Sequence, residues 1–94
     1  MSKVIDFAAF ENKVPAKLTE KIKRDVKYIE EETPFGNIKN FHVYENEYFV
    51  KIGFSTGVYL KVYEYFKIGD SFSEIELTSV NYHFIKELFE GGGK

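Results

Sequence analysis

Apolar residues recur along this chain with two different periods. Leu18, Ile22, Val26 and Ile29 fall at i, i+4, i+8 and i+11, a single narrow stripe on an amphipathic helix. Pro15 suits the first turn of that helix, where its missing N–H would have no intrahelical partner. The helix is predicted to run to about Glu31, inside a segment spanning 13–32. Thr33-Pro34-Phe35-Gly36 then stops it, because a residue before proline avoids the α region and glycine turns readily. Ahead of it, residues 1–12 form an arm whose VIDFAAF stretch is ambiguous between a short helix and an edge strand, with a weak helix or irregular arm the preferred reading.

From residue 38 to residue 78 the period becomes two. Four strands are predicted, at Ile38–Tyr44, Tyr48–Phe54, Val58–Ile68 and Phe72–Thr78. Glu45-Asn46-Glu47, Ser55-Thr56-Gly57 and Gly69-Asp70 are the intervening turns. Thr78 or Ser79 can cap a last helix over 79–90, whose Val80, Phe84, Ile85, Leu88 and Phe89 form a wide apolar face. Gly91 ends it and 91–94 is a flexible tail. The expectation is one α+β domain: a helix, a four-stranded antiparallel meander and a C-terminal helix, both helices on one sheet face.

The pleat assigns sides. Val50, Ile52 and Phe54, then Val58, Leu60 and Val62, then Ile75 and Leu77 are expected to face the helices. Glu64 falls in register with Leu60 and Val62, which marks an inward charge, a bulge or the end of the core. The opposite, open face would carry His42 and Tyr44, Phe49 and Lys51, then Tyr59, Lys61, Tyr63, Tyr65 and Lys67.

Composition fits a small globular domain, with 44% hydrophobic and 30% charged residues among 94. Without cysteine, disulfides and thiolate metal sites are excluded, and a cytoplasmic setting is expected. No apolar run approaches the ~20 residues of a membrane span, and the N-terminal stretch is too weak for a signal peptide. Net charge is −2 but unevenly spread. Residues 13–27 hold six basic and two acidic residues, and Lys13, Lys17, Lys21, Arg24 and Lys27 make a secondary basic ridge opposite the apolar stripe. The favoured reading of this ridge is a solvated helix face with ion pairs such as Glu20–Arg24 and Lys27–Glu31, ahead of a binding role.

Catalytic motifs are missing: no nucleophile elbow, phosphate loop or paired zinc histidines. His42 and His83 stand 41 residues apart with no matching carboxylates. A non-enzymatic role without cofactor or metal is expected. The open face is the candidate site, through Tyr44, Phe49, Lys51, Tyr59, Lys61, Tyr63, Tyr65 and Lys67. Aromatic rings stack on bases at about 1–3 kcal/mol each and lysines neutralise phosphates. The same rings anchor protein interfaces or stabilise a sheet through cross-strand pairs. Glu74 and Glu76 on the last strand and the single arginine, Arg24, weigh against nucleic acid.

Residues 48–66, YFVKIGFSTGVYLKVYEYF, resemble the hairpin of the single-stranded-DNA-binding transcriptional coactivators (positive cofactor four and its bacterial and phage relatives). There a strand ending in phenylalanine leads to one closing on Glu-Tyr-aromatic, here Glu64-Tyr65-Phe66. Residues 74–88 resemble the family's final Ile-x-Leu strand and helix, through Ile75, Leu77 and Tyr82. The resemblance implies a ββββα unit that dimerises through its helix and binds single strands with little sequence preference. It nominates Lys51, Lys61, Tyr63 and Tyr65.

The sequence therefore leads to a single-stranded nucleic-acid-binding module, with a homodimer among the expectations. The alternative is a small protein-binding inhibitor or adaptor, of the kind phages and immunity systems encode, using the same face.

Overall fold

A computed structural model of the chain describes residues 4–78. A 3₁₀ turn at Phe7–Ala9 precedes helix α1, Ala16–Glu32, and strands β1 (Asn40–Glu45), β2 (Phe49–Ser55), β3 (Tyr59–Phe66) and β4 (Ser71–Thr78). The strands form one antiparallel sheet in the order β1-β2-β3-β4. The α+β class and the meander are as the sequence leads one to expect. The predicted helix over 79–90 and the tail at 91–94 lie outside the described residues.

Helix α1 buries the expected stripe: Leu18, Ile22, Val26 and Ile29 are closed off from solvent. Its C-terminal end is tied down locally. Thr33 Oγ1 donates to the Ile29 carbonyl at 2.6 Å and accepts from the Phe35 N–H at 3.3 Å, while Glu30 accepts from the Ile38 N–H at 2.9 Å. The first satisfies a carbonyl that the helix end leaves without a partner, and the other two fix the linker that leads into β1. The N-terminal arm contributes more than its pattern suggests. Asp6 caps the 3₁₀ turn by accepting from the Ala8 N–H, and Phe10 is fully buried beside Ile5 and Val14 in the core.

The sides of the sheet differ from the expectation, and one turn is responsible. Expecting Ser55-Thr56-Gly57 as the turn makes Phe54 face Val58, so Val50, Ile52 and Phe54 share a side with Leu60 and Val62. In the structure the loop is the two residues Gly57 and Val58, closed by the Thr56 N–H donating to the Tyr59 carbonyl at 2.9 Å. Gly57 takes a φ of +123°, a conformation that glycine alone adopts without strain. The register that follows pairs Phe54 with Lys61, Ile52 with Tyr63 and Val50 with Tyr65. A one-residue shift in a hairpin moves every side chain of the strand to the other face.

Tyr59, Lys61, Tyr63 and Tyr65 accordingly face α1, and Tyr59, Lys61 and Tyr63 are buried. Leu60 and Val62, both half-buried, lie on the side that no described element covers (the free face), and Val58, at the turn, is 42% exposed. Strand β4 turns over with β3, because Leu60 pairs with Leu77 and Val62 with Ile75. Ile75 and Leu77 are thus on the free face and not in the core, while Glu74 and Glu76 stand on the helix side. Strands β1 and β2 keep the expected sides: His42, Tyr44, Phe49 and Lys51 are on the free face.

Candidate interaction surface

On the helix side, the tyrosine–lysine row of β3 meets acids from two elements. Lys61 Nζ lies 2.8 Å from Glu74 and 3.7 Å from both Asp25 and Glu76. Tyr63 donates its hydroxyl proton to Asp25 Oδ2 at 2.5 Å, and Tyr59 donates to Glu76. Lys21 bridges Asp25 at 3.5 Å and Glu74 at 3.3 Å. Phe35, from the α1–β1 linker, stacks on Tyr59 with centroids 4.9 Å apart. This network joins α1 to β3 and β4, and it explains why aromatics and a lysine occupy a covered face: every polar tip has a partner.

The electrostatics agree with a closed network. Burial works to lower the pKa of Lys61, but the Glu74 hydrogen bond and the charges of Asp25, Glu74 and Glu76 outweigh it and raise it. Burial likewise opposes ionisation of Glu74, and Lys61 overcomes it, so the carboxyl stays below its ordinary value. Burial and then the bond to Asp25 push Tyr63 well above an ordinary phenol, and burial with Glu76 does the same to Tyr59.

The free face is built differently. Near the β1–β2 hairpin, Tyr44 and Phe49 lie with ring centroids 6.0 Å apart, and Phe66 pairs opposite Phe49. Lys51 Nζ stands 5.4 Å from the Phe49 ring centre and 3.6 Å from Glu64. Glu64 is therefore neither an inward charge nor a bulge: it is the cross-strand partner of Lys51. Toward the other end, Leu60, Val62, Ile75 and Leu77 form an aliphatic patch, with Ile75 62% exposed. Between the two regions the absent side chain of Gly53 leaves a hollow of about 190 Å³, walled by His42, Tyr44, Leu60 and Val62.

The eight nominated residues thus divide. Tyr44, Phe49 and Lys51 come together on the free face. Tyr59, Lys61, Tyr63 and Tyr65 are on the other side, where the Tyr65 hydroxyl donates to Asp70 at 2.6 Å. Lys67 sits beyond β3 and reaches Glu45 at 2.8 Å, a carboxylate that Lys13 also holds at 2.8 Å. Hydrogen bonds from these two lysines lower the pKa of Glu45 to about 2. The basic ridge is divided as well. Lys13 and Lys21 are engaged in ion pairs, Lys17, Arg24 and Lys27 are exposed, and Glu20 pairs with Lys23 at 3.7 Å.

Leu60, Val62, Phe66, Ile75 and Leu77 are the free-face residues that pattern reading missed. Their signal was present: both faces of β3 and β4 are written with large side chains, so alternation alone could not choose between them. Among the described residues, no cluster of three or more His, Asp or Glu side chains could hold a metal, and no helix is long and apolar enough to cross a membrane. No protein-family model, curated protein or solved structure matches this chain.

Proposed function

We propose that this chain is a non-enzymatic protein-binding module, an inhibitor or adaptor, that engages its partner through the free sheet face. The observation that carries this reading is the chemistry of that face. It joins an aromatic group, Tyr44, Phe49 and Phe66, to an aliphatic patch, Leu60, Val62, Ile75 and Leu77. Its one lysine among the described residues, Lys51, already has Glu64 as a neighbour. Contiguous apolar surface with aromatic anchors and few charges is what a protein interface core requires. A nucleic-acid surface needs free cations along a backbone track, and Lys61 is enclosed by carboxylates on the other side.

Affinity capture from an extract of the cells that encode the chain tests the reading. The wild type and a Lys17→Glu/Arg24→Glu variant are expected to retain the same stoichiometric protein, and Val62→Glu or Ile75→Glu to lose it at least several-fold. Capture that survives the free-face changes but disappears with nuclease or with the ridge variant would overturn it.

A further inference from the structure

We infer that two copies of this chain pair through the outer edge of β1, antiparallel about Val43, so that two meanders make one continuous sheet. The inference is independent of the partner reading, because it uses the edge of the sheet and not its free face.

The edge is open in a defined way. The Asn46 N–H donates to the Phe49 carbonyl at 3.0 Å, which closes the β1–β2 hairpin as a hydrogen-bonded pair. Antiparallel pairs alternate, so Tyr44, His42 and Asn40 turn their backbone groups toward β2, and Phe41, Val43 and Glu45 turn theirs outward. Strand β1 ends the strand order, and among the described residues no strand lies beyond it. Sheets commonly protect such an edge with proline, lysine or inward-pointing charge. The stretch Asn40–Tyr44 carries none of these, and Phe41, Val43 and Tyr44 are good strand formers. The other edge is protected: pairing β4 with its own copy would set Glu74 and Glu76 against the same acids.

Only outward residues can bond across the seam, which leaves two centred registers. With Phe41 opposite Val43, Lys39 faces Glu45, which Lys13 and Lys67 already hold. With Val43 opposite itself, Phe41 faces Glu45 and Lys39 faces Glu47. Lys39 and Glu47 are exposed, and neither takes part in an ion pair among the described residues. The second register gives them opposite charges at both ends of the seam and sets His42 beside Tyr44 on the free face. The two free faces then run on side by side, with Tyr44 of each copy at the join.

Sedimentation equilibrium of the full chain over a micromolar concentration series tests this. The wild type is expected to associate reversibly to a dimer. Val43→Pro removes an outward N–H that β2 does not use, and is expected to leave a monomer with the circular-dichroism spectrum of the sheet retained. Lys39→Glu and Glu47→Lys are each expected to weaken the dimer about fivefold or more, by placing like charges together at both ends. Their combination should restore it to within about twofold of the wild type, which two independently destabilising changes could not do. Val62→Glu should leave the dimer intact while partner capture is lost, which separates this inference from the partner reading. A monomer at every concentration, a dimer indifferent to Val43→Pro, a dimer lost with Val62→Glu, or a double charge variant no tighter than the single ones would overturn the inference.

Discussion

Lys61 is the residue on which the two layers depend. Its side chain is enclosed, and the carboxylates of Asp25, Glu74 and Glu76 converge on it from α1 and β4. Removing one partner from such a group leaves the others facing like charge. Lys61→Met is expected to cost about 3 kcal/mol, the low end for breaking a buried pair because the carboxylates keep some contact with water. Tyr63→Phe, which removes one hydrogen bond to a charged acceptor, is expected to cost about 1–3 kcal/mol. Urea titrations read both, and the Lys61→Met deficit should shrink as the pH is lowered and Glu74, held below its ordinary value by Lys61, takes up its proton. Glu45 gives a separate pH signature. Its carboxyl titrates near pH 2 in the folded chain against an ordinary 4.5, so its contribution is complete above pH 4.5 and is lost as the pH falls toward 2. Glu45→Gln should therefore flatten the acid limb of the stability–pH curve in that window. An unchanged limb would show that Lys13 and Lys67 do not hold this carboxylate.

At the scale of elements, one tight turn determines which side of half the sheet is free. Inserting a single residue between Gly57 and Val58 either makes the loop absorb it as a bulge or turns β3 and β4 over. The second outcome would bring Leu60, Val62, Ile75 and Leu77 under α1 and strand Asp25 without Tyr63 or Lys61. The expected result is a loss of several degrees in melting temperature with the original register kept, because the acid–lysine–tyrosine network has no alternative partners. Hydrogen exchange across β3 measures this. Helix α1, the four strands and their order were legible in the sequence, because the 3.6 and 2 periods are long and cleanly separated by Thr33-Pro34-Phe35-Gly36 and the turn residues. Tyr44, Phe49 and Lys51 were placed correctly because β1 and β2 have only one apolar face each. Strand β3 was not, since Tyr59/Tyr63 and Leu60/Val62 are both able to line a core and only the loop length separates the two choices. The buried Phe10 was hidden for another reason: a short arm has no periodicity from which burial can be read.

For the molecule as a whole, the turned-over half-sheet separates charge from apolar surface. Apart from Lys51–Glu64 on the free face and Glu20–Lys23 on α1, the ion pairs between described residues gather between α1 and the helix side of the sheet and along the Lys13–Glu45–Lys67 edge. The free face is left mainly aromatic and aliphatic, and the proposed protein partner rests on that. A net charge of −2 gives the chain no general attraction for polyanions. Everything functional in this account follows from which face α1 covers, so the most direct test is the β2–β3 register in solution by nuclear Overhauser contacts. The account predicts cross-strand contacts between Ile52 and Tyr63 and between Gly53 and Val62, together with Tyr63 ring contacts to Phe54. Contacts between Ile52 and Leu60 and between Phe54 and Val58, with the Tyr63 ring near Phe49 or Lys51, would contradict it.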